Sequence, residues 1–581
     1  MVGTRPSSIR CAALSSRSGD GDRRGIDGRR SIPDGSGLVF RAHEVSMRLA
    51  LIAALAALAT TALPAALSAE TPEEKDAAAS AAPARFQPDE VRSTGSVAVG
   101  GVRIPYQAVA GTLVVHPKGW DDVPPRDEDG RKAAKEQAEA SMFYVAYFRT
   151  GAPAAGRPIT FLFNGGPGSS SIWLHMGAFG PVRVEAGDAG QASAAPYRVV
   201  ANDMALLDAS DLVFIDAPGT GFSRVAGKDK DKAFYGVDQD IHAFARFIVQ
   251  FLSKHGRWAS PKYLFGESYG TMRAAGLARA LQDEDVDLNG VILLSDILNW
   301  DLIPDDPQLN PGVDLPYVVS LPTYAATAWY HRRVANRPDD LASFLAEVER
   351  FATTDYALAL MQGNALPAAE RQAIAEKLSG YTGLPAAYLL RSNLRIEYGA
   401  LQKELLLDRD LTTGTLDTRF TGWTIDPLSK VAGYDPQGSA IGAAYAGAFN
   451  DYVRGTLRYG EGRHYQTSLD VYGSWDYRHQ PPGADKPLIA LPNVLPDLAV
   501  AMKRNPTMKV MVNGGYFDVS TPYFAGRYEL RHLPVPAALT GNIEYRYYPS
   551  GHMVYLHRPS LKALHDNVAD FIRRTDNAAA K

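Results

Sequence analysis

The chain has 581 residues, a formal net charge of −4, 46% hydrophobic and 21% charged side chains. That balance supports a large core and excludes a chain disordered throughout. A single cysteine, Cys11, excludes a disulfide-stapled fold, and the acidic balance argues against nucleic acid as the partner.

Residues 1–46 are rich in Arg, Ser, Gly and Asp, without apolar periodicity. Met47 and Arg48 then open an apolar run that passes Pro64 and ends at Ser68 and Ala69, ahead of an acidic stretch. A basic residue, an apolar centre and small residues at the end fit a secretory signal peptide, although Leu67 is an unusual −3 residue. The apolar stretch before Pro64 is short for a membrane span of about 20 residues. The expectation is that Met47 is the true start and residues 1–46 an over-extended reading frame. Residues 47–69 are then a cleaved signal, leaving a periplasmic or secreted protein with no stable membrane span. Beyond position 69 lie 51 of the 60 basic and 59 of the 64 acidic residues, and no cysteine. A thiol nucleophile and a cysteine metal site are therefore excluded there, and no N-x-S/T sequon occurs.

Residues 70–90 read as a mobile leader. From Gly95 to His116 the pattern is an antiparallel hairpin with a Gly-Gly turn. Met142–Phe148, Ile159–Phe163 and Asp211–Ile215 read as buried strands, and Val237–Lys254 as a helix. Tyr263–Phe265 is a strand that meets Gly266-Glu267-Ser268-Tyr269-Gly270 and an Ala-rich helix, and Asn289–Ser295 is strand again. Strands alternating with helices predict a largely parallel sheet covered on both faces. Residues 299–491 break the pattern. Leu341, Phe344, Leu345, Val348 and Phe351 recur at helical spacing, Ile374 and Leu378 mark a second helix, and a Tyr-rich stretch runs from Tyr445 to Tyr477. This reads as a mainly helical insertion over the sheet, between core segments 91–298 and 492–581. In the second segment, strands Met508–Val512 and Ile543–Tyr548 alternate with helices near Pro522–His532 and Ser560–Arg574.

Chemistry concentrates at Ser268. A serine on a sharp strand-to-helix turn needs small neighbours, a base, and a carboxylate to orient that base. Asp518 follows one late strand and His552 the next, in the chain order of an α/β-hydrolase fold. His532, His557 and His565 lie in or beside helices, as do Asp566 and Asp570, and are passed over. An oxyanion hole needs two backbone N–H groups. Tyr269 supplies one, and Gly166, in the loop after Ile159–Phe163, the other. Nothing in the chain points to a metal or an organic cofactor.

NGGPGSSS (164–171), DAPGTGFS (216–223), GESYG (266–270), GYFDVSTP (515–522) and GHMV (551–554) together resemble the serine carboxypeptidase family, in its order, from about residue 95 to 575. The resemblance implies an α/β-hydrolase fold with a helical insertion, a triad of Ser268, Asp518 and His552, and release of C-terminal residues from peptides. It further implies that Asn164 and Glu267 bind the substrate's C-terminal carboxylate, with Gly165 counted among the substrate-binding positions.

Three departures matter. Leu162 stands where the family often has Trp, Ser169 where it has Cys, and Ala178 where it has a second Glu paired with the one beside the nucleophile. Without that partner, Glu267 is expected to ionise at lower pH, and to discriminate free from blocked C-termini more weakly than typical members of the family, with a selectivity that fades at lower pH. An esterase or acyltransferase could run on the same machinery, and a binding protein with a dead site is the remaining alternative.

Overall fold

The computed structural model describes residues 85–119, 137–151, 153–154, 156–303 and 310–577. The extension over 1–46, the signal over 47–69 and the leader up to residue 84 lie outside the described residues. Among the described residues, no helix is long and apolar enough to cross a membrane.

The main sheet is built from β1 (Glu90–Val99), β2 (Val102–Val115), β3 (Glu139–Arg149), β4 (Ile159–Phe163) and β5 (Asp211–Ile215). It continues with β6 (Arg224–Ala226), β7 (Lys262–Glu267), β8 (Gly290–Leu294), β9 (Lys509–Gly515) and β10 (Ile543–Tyr548). Their spatial order is β1-β2-β3-β5-β4-β7-β8-β9-β10, with the short β6 paired to β3. Pairing is antiparallel from β1 through β3 to β5 and parallel from β5 to β10. Strands β4, β5, β7 and β8 are buried along their whole length, which is why they read as continuous apolar runs rather than alternating ones. β9 runs three residues past the expected Val512, because Asn513, Gly514 and Gly515 pair with Arg546, Tyr547 and Tyr548 of β10.

Around the sheet lie α1 (Val237–Lys254), α2 (Tyr269–Gln282), α3 (Leu315–Tyr330), α4 (Leu341–Phe351) and α5 (Ala368–Thr382). They are followed by α6 (Pro436–Gly455), α7 (Leu495–Arg504), α8 (Tyr523–Arg531) and α9 (Arg558–Thr575). Successive strand residues point to opposite faces. Leu264, Val291 and Val510 therefore pack with α1, α2 and α7. Their neighbours Phe265, Ile292 and Met511 pack in the cluster that holds α6 and α9. On α1, Ile241, Phe244, Ile248 and Phe251 repeat at helical spacing and are all buried, each stabilising the fold by roughly 1.5–3 kcal/mol. The sheet thus has one core on each face.

The long middle stretch divides by packing. Helices α3, α4 and α5 form a third core that includes Phe517, Val519 and Tyr523 from the loop after β9 and the start of α8. Helix α4 begins at Asp340, whose side chain accepts the Ser343 N–H at 2.8 Å. Helix α6 and the buried Tyr459 and Tyr465 belong instead to a sheet core. The first four tyrosines of the Tyr-rich stretch are core material, while Tyr472 is exposed.

Candidate active site

Ser268 joins β7 to α2 with φ 61° and ψ −133°. A non-glycine residue in such a conformation costs of order 1–3 kcal/mol, so the surroundings must hold it. Its N–H donates to Leu294 O at 3.0 Å, and its own carbonyl accepts the Thr271 N–H at 2.8 Å and the Thr271 hydroxyl at 2.7 Å. Gly266 is obligatory at the turn: a Cβ there would lie 2.1 Å from Gly270 O. The serine is presented at the N-terminus of α2, where developing negative charge is favoured.

The loop after β4 closes against that helix. A Cβ on Gly165 would lie 2.4 Å from Tyr269 N and 2.5 Å from Gly270 N, so only glycine permits the approach. Buried Arg273 of α2 pairs with Asp240 of α1 at 2.7 Å and donates to Asn164 O at 2.7 Å, tying loop to helices. Asp216, at the end of β5, accepts both the N–H and the hydroxyl of Ser171 at 2.8 Å. The second glycine-rich motif therefore braces the first. Tyr472 donates its hydroxyl to Gly166 O at 2.9 Å from the far side.

His552 Nδ1 and Asp518 Oδ2 are 2.7 Å apart, and Asp518 is fully buried. Asp518 also accepts the Thr521 hydroxyl at 2.7 Å and the N–H groups of Ser520 and Thr521 at 2.9 and 3.0 Å. His552 is fixed at its backbone by donation to Leu416 O and by acceptance from Ser295 Oγ, both at 2.7 Å. Burial pulls the His552 pKa down, but the charge and hydrogen bond of Asp518 outweigh it and the net shift is upward. With Nδ1 committed to Asp518, Nε2 is the nitrogen left to take a proton.

A cavity of about 290 Å³ is lined by Asn164, Gly165, Gly166, Glu267, Ser268 and His552. A larger cavity of about 920 Å³ in the helical layer is lined by none of them. Of the sequence candidates, Asp518 stands behind His552, and the Tyr269 ring is buried edge-on against Trp475, leaving its backbone to face the loop. Sequence reasoning missed Trp173, Ile441, Tyr472 and Met553, which also line the cavity, and Thr521. The Asp-x-x-Thr spacing at 518–521 was the available signal for Thr521.

Glu267 corrects an expectation. Its pKa is pushed up to about 7, principally by burial, against the charge of His552 and hydrogen bonds from Tyr555 and Asn164. Ala178 deprives it of a second acid, yet removal from water suffices to hold its proton. Glu267 does not ionise early.

Two further buried acids lie close by. Asp296, just after β8, and Glu529 of α8 are both buried, and the charge of Asp296 adds to burial in raising the Glu529 pKa. Glu529 also accepts the N–H groups of Leu298 and Asn299 at 2.9 and 3.1 Å. Burial pushes Asp296 up to about 7 and raises Glu529 as well. A carboxyl raised on folding contributes stability that is complete below its unfolded pKa of about 4 and is lost as pH rises through the folded value. The melting temperature is expected to fall between pH 5 and pH 8, and Asp296→Asn to shrink that fall. Calorimetry at the two pH values measures it.

The strand order and the elbow define an α/β-hydrolase fold. Residues 119–297 match the family model described as serine carboxypeptidase. The pheromone-processing carboxypeptidase KEX1 of Saccharomyces cerevisiae is 30% identical over 138 residues, 23% of this chain and 17% of that protein. The retinoid-inducible serine carboxypeptidase of Homo sapiens is 30% identical over 196 residues, 32% of this chain and 38% of that one. The aligned stretches thus span less than half the length of these relatives. Among solved structures, proline iminopeptidase of Mycobacterium smegmatis has a TM-score of 0.31 at 13% identity, covering 84% of this chain and 100% of that one. The matches relate the chain to the serine carboxypeptidase family. The matched segment holds Asn164 through Tyr269, while Asp518 and His552 lie beyond it.

Proposed function

We propose that the chain is an exported serine-type carboxypeptidase that removes C-terminal residues from peptides through an acyl-enzyme on Ser268. The observation that carries this reading is a buried, protonatable Glu267 adjoining Ser268 in the cavity that His552 also lines. A neutral carboxyl there, with the Asn164 amide, donates hydrogen bonds to a substrate carboxylate, which a simple ester would not need.

The Ser268 oxygen attacks the carbonyl carbon of the last peptide bond, and His552 Nε2 takes the hydroxyl proton. The N–H groups of Gly166 and Tyr269 stabilise the oxyanion, and Asp518 stabilises the imidazolium. The C–N bond then breaks, His552 returns the proton to the departing amine, and water repeats the sequence on the acyl-enzyme. Because Glu267 gives up its proton near pH 7, preference for a free C-terminus extends to near neutral pH and is lost above it.

Export rests on the pattern over Met47–Ala69. N-terminal sequencing of exported protein is expected to begin near Glu70, and recovery of residues 1–46 on it would contradict this. For the activity, mass spectrometry of a peptide library after digestion is expected to show trimming from the C-terminus. Internal cuts, or ester cleavage with untouched peptides, would favour another acyl-transfer enzyme.

A further inference from the structure

Tyr555 stands three residues after His552, in a buried single turn over Val554–Leu556. Its hydroxyl lies 3.2 Å from Oε1 and 3.0 Å from Oε2 of Glu267, and it also meets the Asn164 side chain. The ring is wedged over Gly177. A Cβ at that glycine would come within 2.6 Å of Tyr555 Cε2 and 2.5 Å of the Tyr445 hydroxyl. Gly177 immediately precedes Ala178 in the short helical segment Leu174–Phe179, so two phenols, not an acid, lie beside that segment. Resting on the carboxypeptidase reading, we propose that Tyr555 is the positioning residue for Glu267: its hydroxyl orients the carboxyl and sets the pH at which selectivity for free C-termini is lost.

The sign follows from the chemistry of the bond. A phenol gives its proton most strongly to an ionised carboxylate, so Tyr555 favours the charged form of Glu267. The other ionisable groups acting on Glu267 are His552, which favours its charged form, and Asp518, which opposes it. Tyr445 and Tyr555 are both held well above the ordinary phenol range by burial and by Glu267 itself. They stay neutral across the working range. His552 affects hydrolysis of a peptide and of its C-terminal amide alike, so the ratio of the two rates isolates Glu267.

The test measures kcat/KM for one peptide and its C-terminal amide from pH 5 to pH 9, in wild type and Tyr555→Phe. The acid-to-amide ratio of the wild type is expected to drop near neutral pH. Loss of one hydrogen bond to a charged group should move that inflection up by about one pH unit in Tyr555→Phe. A wild-type inflection that stays in place in Tyr555→Phe overturns the role of Tyr555 and leaves the carboxypeptidase reading standing. A wild-type ratio near one at every pH overturns that reading itself. Should Tyr555→Phe fail to fold, Gly177→Ala crowds the same ring while keeping the hydroxyl. It is expected to move the inflection in the same direction, and an unmoved inflection there overturns the proposal.

Discussion

Ser268→Ala is expected to abolish acyl-enzyme formation, with turnover falling by about 10⁶-fold, the loss seen when another triad loses its serine. The fold should survive. Neither backbone partner of the elbow involves the serine hydroxyl: the N–H goes to Leu294 and the carbonyl accepts from Thr271. A circular dichroism melt unchanged within a few degrees, with no hydrolysis, is the expected pair of results. His552→Ala should be nearly as severe, because the two side chains act as a unit.

Asp518→Asn is expected to cost roughly 10⁴-fold in kcat, by analogy with that change in another serine hydrolase. The hydrogen bonds around Asp518 explain why. Oδ1 accepts from the N–H groups of Ser520 and Thr521, an arrangement that an amide oxygen preserves. The amide nitrogen must then take the place of Oδ2, where it faces His552 Nδ1 and the Thr521 hydroxyl. His552 is driven to carry its proton on Nε2, the tautomer that cannot accept one from serine. The carboxylate charge that raises the His552 pKa is lost as well. Steady-state kinetics across pH measure both effects, and near-normal turnover would assign the orienting role to another carboxylate.

Much of this site was legible because its parts are local. The Ser268 elbow needs glycines two residues to either side, and a short, continuously apolar strand gives way there to an Ala-rich helix. Asp518 and His552 stood out because each directly follows a strand of the parallel sheet. What escaped notice depends on contacts between residues far apart in the chain. Tyr555 is 288 residues from Glu267, and Tyr472 is 306 from Gly166. No periodicity links such pairs.

The misjudged acidity of Glu267 has the same origin. Counting charged neighbours along the sequence showed a missing partner at Ala178, whereas the decisive quantity was burial, which only the packed structure supplies. The middle stretch is comparable. Helical spacing at Leu341–Phe351 announced α4 correctly, yet apolar spacing cannot say which core a helix joins. Helix α6 is buried with the sheet because Ile441, Tyr445 and Phe449 meet the same cluster as Phe265 and Ile292.

The central claim is that Ser268 is the nucleophile for peptides bearing a free C-terminus. Labelling with a fluorophosphonate probe, followed by peptide mapping, tests it most directly. The expected result is a single adduct on Ser268 that an excess of free-acid peptide suppresses at pH 6 and the matching C-terminal amide does not. An adduct on another residue, or no adduct on folded protein, would contradict it.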